Sequence, residues 1–108
     1  MLKRFTLPVC PVETSLVLMG DRWKLLIVRD LLTGTKRFGE LKKSLDTISQ
    51  KTLTEHLRLL EEYGLINRKI YAEVPPKVEY SLTDLGKDLK HIHDAMWKFG
   101  EKYKKSLS

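Results

Sequence analysis

The sequence predicts an α+β fold, mostly α, and three observations predict it. Leu53, Leu57, Leu60 and Gly64 fall at i, i+4, i+7 and i+11, one stripe of a helix. After Gly64 the period drops to 2: Ile66, Ile70, Ala72 and Val74 alternate with polar neighbours, interrupted by Arg68, and Val78, Tyr80 and Leu82 alternate in the same way. Near the end of the chain Leu85, Leu89, Ile92, Met96, Phe99 and Tyr103 follow at steps of 4, 3, 4, 3 and 4, an a/d-like seam. The parts are therefore several helices, one hairpin and a long closing helix.

Length and charge bound what these parts can make. At 108 residues the chain is one domain (1–108), enough for one modest core and too short for two. A net charge of +6 favours an anionic partner without naming it. No uninterrupted apolar run exceeds four residues, as at 25–28, so no transmembrane span and no membrane partner are expected. Residues 1–11 lack the apolar stretch of a signal peptide, and a single cysteine rules out an internal disulfide framework. A cytoplasmic protein is expected.

In chain order, residues 1–9 read as a short arm carrying Lys3 and Arg4. Cys10 and Pro11 start a helix, since the missing N–H of Pro11 costs nothing at the first helical position, and Gly20 stops it. Asp21 suits the N-cap of the next helix. Its Trp23, Leu26, Ile27, Val28, Leu31 and Leu32 make a wide apolar face, and Gly34 ends it. Thr35, Lys36 and Arg37 form a basic turn. A short helix follows over about 38–45, with Phe38, Leu41 and Leu45 inward, and Asp46, Thr47 and Ile48 turn the chain into the next helix. Ser49 is its N-cap and Gly64 its left-handed stop. Helix, three-residue turn and longer helix make a helix-turn-helix over 38–64.

Pro75 and Pro76 cannot donate to a ladder, so they belong at a hairpin tip, and 65–82 becomes a wing. Thr83 caps a last helix over 83–105. The expected architecture is a winged helix-turn-helix with a two-stranded wing and a long C-terminal dimerisation helix. Two readings of the last seam stay open: a dimer surface including Trp97, or a helix folded back on its own domain.

The first turn of the central helix is Ser49, Gln50, Lys51 and Thr52, short or flexible hydrogen-bonding side chains. Such a helix end suits the major groove of DNA, where polar side chains meet base edges. A solvated amphipathic helix is the plain alternative.

Seven motifs then converge. Cys10-Pro-Val-Glu13, Gly20-Asp-Arg-Trp23, Leu31-Leu-Thr-Gly34, Arg37-Phe-Gly-Glu-Leu41, Ile48-Ser-Gln-Lys-Thr-Leu53, Leu60-Glu-Glu-Tyr-Gly-Leu-Ile66 and Val74-Pro-Pro-Lys-Val-Glu-Tyr80-Ser-Leu-Thr83 resemble, in order and spacing, the HxlR-type winged-helix transcriptional regulators. The resemblance implies a homodimeric bacterial or archaeal regulator of transcription that binds double-stranded DNA. It implies that the first and last helices form the dimer interface, that recognition helices enter successive major grooves, and that the wings touch the flanking backbone. Some relatives sense electrophiles or oxidants through a cysteine at the position of Cys10, and many have no known effector.

Base reading at a palindromic operator would fall to Ser49, Gln50, Lys51, Thr52, Thr54, Glu55 and Arg58. Gln suits adenine, Lys and Arg suit guanine, and Glu accepts from cytosine. Glu55 has a second reading, since Lys51 and Arg58 lie within pairing reach on the same helix. Lys36, Arg37, Arg68, Lys69 and Lys77 are candidates for phosphate contacts, which position the protein without reading sequence. Lys42–Lys43 and Lys104–Lys105 suit solvated faces equally well. Leu16, Leu89, Ile92, Met96, Trp97, Phe99 and Tyr103 are the expected dimer-interface residues.

Cys10 is a candidate for redox sensing, because a helix start with Lys3 and Arg4 nearby favours an anion. Its alternative is a small apolar residue packed at the dimer interface. His91 and His93, two apart on a helix, point about 200° from each other and cannot share a metal from one face. No metal, cofactor or enzymatic activity is expected. A winged-helix module that binds protein or RNA is the remaining functional alternative, disfavoured by polar groove-facing positions and by too few aromatic stacking residues.

Overall fold

The computed structural model describes residues 7–108, so the arm residues Lys3 and Arg4 lie outside it. Helix α1 (Pro11–Met19) begins with Cys10 at the N-cap and Pro11 in the first turn, and it buries no residue. Asp21 caps a turn instead of the following helix: its Oδ1 accepts the N–H groups of Trp23 and Lys24 at 2.8 and 2.9 Å. Helix α2 (Lys24–Leu31) therefore starts later than Asp21 suggests, and contributes Ile27, Val28 and Leu31 to the core.

Lys36 and Arg37 are not a plain turn. They form a two-residue strand, β1 (Lys36–Arg37), that pairs antiparallel with Tyr80 and Glu79. Two residues show no periodicity, and their partner lies far along the chain, so only the folded sheet reveals them. Helix α3 (Phe38–Leu45) opens where the Glu40 carboxylate accepts the Arg37 N–H at 2.8 Å, and it buries Leu41 and Leu45. Asp46, at φ 47°, turns the chain over the buried Ile48 into helix α4 (Gln50–Glu62).

Both ends of α4 are as the sequence predicts. Ser49 Oγ accepts the Thr52 N–H at 3.0 Å, satisfying a donor the helix itself cannot. At the other end Gly64 sits at φ 79°, and the N–H groups of Gly64 and Leu65 donate to the Glu61 and Leu60 carbonyls, each at 3.0 Å. That is a Schellman closure, and the positive φ is why glycine is needed. Leu53, Leu57 and Leu60 are buried along the inner face.

Strands β2 (Ile66–Tyr71) and β3 (Lys77–Leu82) pair antiparallel in the register Ile66↔Leu82, Arg68↔Tyr80 and Ile70↔Val78. With β1 they make a three-stranded sheet ordered β1-β3-β2, one strand more than the hairpin alone. The expected apolar alternation of β2 holds only at its base. Ile66, Tyr80 and Leu82 are buried, whereas Ile70 and Val74 are 57% and 101% exposed. The hairpin runs past the edge of the core, so its outer residues have nothing to pack against. Ala72, Val74, Pro75 and Pro76 lie in the connection at its tip.

The expected single last helix is two: α5 (Asp84–Lys87) and α6 (Leu89–Ser106), separated by Asp88. The cause is a tight dock. The Thr83 hydroxyl accepts the Gly86 N–H at 3.0 Å and donates to the Gly64 carbonyl at 2.7 Å. The Thr83 N–H donates to the Leu65 carbonyl at 3.1 Å. Gly86 approaches that carbonyl so closely that a Cβ would lie 2.0 Å from its oxygen. Held there, the chain makes one short turn before α6 begins.

Leu89 is the one α6 residue in the core. Ile92 packs half-buried against it, and Met96, Trp97, Phe99 and Tyr103 are 57–68% exposed. Leu89, expected at a dimer surface, thus belongs to the chain's own interior. The radius of gyration is 15.2 Å, against about 13 Å for a compact chain of 100 residues; an α6 about 27 Å long, buried only at its start, accounts for the excess. Among the described residues, no helix is long and apolar enough to cross a membrane.

Candidate nucleic-acid interface

With three leucines turned inward, α4 turns Gln50, Lys51, Thr54, Glu55 and Arg58 outward, and all five are exposed and line one shallow groove. The other two expected base readers are already engaged. Ser49 Oγ donates to Thr52 Oγ1 at 2.9 Å while accepting the Thr52 N–H, and Thr52 is half-buried. They hold the cap that aims the helix. The Thr54 hydroxyl donates to the Gln50 carbonyl at 2.8 Å and keeps its acceptor side open. The ion pairs of the described residues include neither Glu55, Lys51 nor Arg58. The second reading of Glu55, pairing within its own helix, is therefore not the arrangement in this structure.

The wing sets a basic edge beside this face. Arg68 Nε reaches Glu61 Oε1 of α4 at 3.5 Å, a tie between strand and helix. Thr54, Leu57, Arg58, Glu61, Arg68 and Tyr80 enclose a cavity of about 240 Å³ between α4 and the wing. Burial pushes the Tyr80 phenol above its ordinary range, against the pull of the Arg68 charge. Farther out, Lys69 and Lys77 place their ammonium groups 4.9 and 4.5 Å from the centre of the Tyr71 ring. Lys77 is also 3.7 Å from Glu79. Lys36 is half-buried in β1, and Arg37 is exposed at the start of α3.

At the back of α4 lies a contact that the sequence does not announce. His56 Nδ1 is 2.8 Å from the Thr52 carbonyl, and its Nε2 is 3.2 Å from Asp21 Oδ1. Lys24, 7% exposed, bonds the other Asp21 oxygen. Burial alone would raise the Asp21 carboxyl. Hydrogen bonds from the Lys24 side chain and from the N–H groups of Lys24 and Trp23 outweigh it and bring the pKa to about 2. The helical spacing of His56 signals no partner at residue 21. Glu61 and Tyr80 escape notice too: Glu61 sits among solvated charges, and Tyr80 looks like a core residue alone.

Two other features complete the surface. Cys10 is exposed at the head of α1, so it is not packed inside its own chain. The outer sides of α1 and α6 carry open apolar residues: Val12 and Leu16 are 67% and 60% exposed and share a cavity wall with the exposed Met96, and Trp97, Phe99 and Tyr103 are exposed elsewhere on α6.

Comparisons with known proteins match this arrangement. The family model described as HxlR-like helix-turn-helix covers residues 18–108. The uncharacterized HTH-type transcriptional regulator YdeP of Bacillus subtilis is 48% identical over 95 residues, 88% of this chain and 74% of YdeP. The redox regulator HypR in its reduced form superposes with a TM-score of 0.86 at 41% identity, over 91% of this chain and 97% of HypR. Quinone-bound YodB of B. subtilis superposes with a TM-score of 0.74 at 33% identity, over 86% of this chain and 99% of YodB. A capped helix with a polar outer face, a basic wing beside it and a family match over most of the chain lead to one conclusion: this chain belongs to the HxlR-like helix-turn-helix family of transcriptional regulators.

Proposed function

We propose that two copies of this chain bind a palindromic DNA operator, each setting α4 into a major groove. The observation that carries this is the outer face of α4. Gln50, Lys51, Thr54, Glu55 and Arg58 are exposed together, outside the ion pairs formed among the described residues, on a helix whose N-terminus is fixed by the Ser49 cap. Those side chains supply donors and acceptors for base edges, and Arg58 can donate two bonds to guanine. Lys36, Arg37, Arg68, Lys69 and Lys77 supply the positive charge that holds the backbone. The exposed apolar faces of α1 and α6, Leu16 with Met96, Trp97, Phe99 and Tyr103, form the dimer contact. Half-sites then lie about 34–36 Å apart, one turn of the duplex.

Cys10 is the proposed sensing group. Its support is its exposure at the head of α1, together with relatives named as a redox regulator and as a quinone-bound regulator. In the simplest reaction the thiolate adds to a quinone ring carbon. A C–S bond forms at a ring carbon bearing hydrogen, one carbonyl oxygen takes a proton from water, the proton on the attacked carbon moves to the other oxygen, and the product is an S-linked hydroquinone.

The test is an anisotropy titration against duplexes selected from random DNA, with and without quinone. A specific palindromic site whose binding is lost on treatment, and kept in Cys10→Ser, supports both parts. A specific site indifferent to quinone removes the sensing role. No preference for any duplex at low salt, with binding to single-stranded RNA or protein instead, removes the DNA role.

A further inference from the structure

We propose that Asp21 and His56 are positioning residues for DNA recognition, a proton-dependent clamp that holds α4 against the turn before α2. The proposal rests on α4 being the DNA-reading helix. His56 offers two ring nitrogens, and each faces an acceptor: Nδ1 the Thr52 carbonyl at 2.8 Å, Nε2 the Asp21 carboxylate at 3.2 Å. A neutral imidazole carries one N–H and can donate to only one of them, whereas the imidazolium donates to both. Its bond to a carboxylate is then charge-assisted, the stronger kind. The side chain is 17% exposed, so water is poorly placed to take over a lost partner.

The far end of the clamp is firm. Asp21 Oδ1 accepts the N–H groups of Trp23 and Lys24 as well, and Oδ2 accepts the Lys24 ammonium. Lys24 is the one charged residue buried among the described residues. The charged groups converging on the ring are thus Asp21 from the turn and Lys24 from α2, and α4 itself adds the Thr52 carbonyl. Position gives the clamp its consequence. Residue 52 lies in the first turn of α4 and residue 56 at its midpoint, and the stretch between carries Thr54 on its outer side, next to Gln50 and Lys51. The tie between Glu61 and Arg68 holds only the C-terminal half. Losing the imidazolium removes one of the two bonds and loosens the side-chain tie to the turn before α2, while the buried Leu53 keeps the helix docked.

The experiment measures affinity for the selected duplex between about pH 5.5 and 8, the range in which histidine exchanges its proton, at constant ionic strength, for the wild type and for His56→Gln. Glutamine still donates to Asp21 but does not titrate. The expected result is wild-type binding that weakens about fivefold as pH rises, the low end of couplings between sites, and a variant lacking that change. By linkage, the His56 ring followed by NMR is expected to keep its proton to higher pH in the DNA complex than in the free wild type. This comparison also decides the matter should His56→Gln fail to fold. Superimposable profiles, or a ring titration that DNA does not move, overturn the clamp alone. Failure of every duplex to bind at any pH overturns the DNA-reading role of α4, and the clamp with it.

Discussion

Gly86→Ala is a one-carbon change at a place where the backbone has no room for it. The added Cβ would lie 2.0 Å from the Leu65 carbonyl oxygen, 3.0 Å from its carbon and 3.3 Å from Leu82 Cδ2. The first two are main chain, so no side chain can swing aside. Oxygen and methyl must separate by about 1 Å to reach even the 3.0 Å edge of real contacts. That carbonyl also accepts the Thr83 N–H at 3.1 Å, and the motion pulls this bond apart. Overpacking costs about 1–3 kcal/mol, and an orphaned buried acceptor costs about 1–3 kcal/mol more. Removing a glycine from a helical position returns about 0.5–1 kcal/mol. The net expectation is a loss of about 1–5 kcal/mol, a large share of the 5–15 kcal/mol typical of a small domain. In melting temperature this is on the order of 5–40 °C. Urea unfolding followed by circular dichroism measures it. A Gly86→Ala protein within about 0.5 kcal/mol of wild type, the ordinary scatter of harmless substitutions, would refute the claim that this contact sets the α5 dock.

Four further outcomes are expected. Gly64→Ala meets no atom within 4 Å, so its cost comes from φ 79° alone; urea unfolding is expected to show a loss of about 1 kcal/mol, much less than at Gly86. Arg58→Ala is expected to reduce operator affinity by about 1–3 kcal/mol and to blur one or two base positions, whereas Lys77→Ala weakens all duplexes alike and flattens the salt slope; selection from random DNA at two salt concentrations separates them. Tyr71→Ala, by releasing both Lys69 and Lys77, is expected to lower that slope more than Tyr71→Phe does, which the same salt series reads. The Asp21 carboxyl is depressed from 3.8 to about 2, so its contribution to stability is present above the unfolded value and fades as pH falls from about 4 to 2. Carbon NMR of the Asp21 carboxyl is expected to place its midpoint near 2, and a midpoint near 3.8 removes the Lys24 bond from the account.

How much was legible in the sequence follows the range of the interactions. The α4 stripe, the Ser49 cap and the Gly64 stop are local devices, closed within a turn or two, and they stand where the sequence puts them. The exposed polar face of α4 follows from the same stripe, because residues opposite buried leucines have nowhere else to point. The seven spaced motifs carried the family. What the sequence could not decide were contacts between segments. Strand β1 exists only because Tyr80 and Glu79 arrive beside it. Ile70 and Val74 keep a buried strand's alternation and are exposed, since burial depends on whether the core extends beneath them. Leu89 continues the α6 seam yet joins the interior, because the Gly86 dock starts α6 against the core and leaves the rest of the seam beyond it. Asp21 and His56 meet across 34 intervening residues with no periodic trace of the meeting. Periodicity and capping are written in neighbouring residues, and they determined the helices, the wing and the exposed polar face of α4. Close approach between distant segments is settled only when the core closes, and that decided the third strand, the broken last helix and the contact of Asp21 with His56 behind α4.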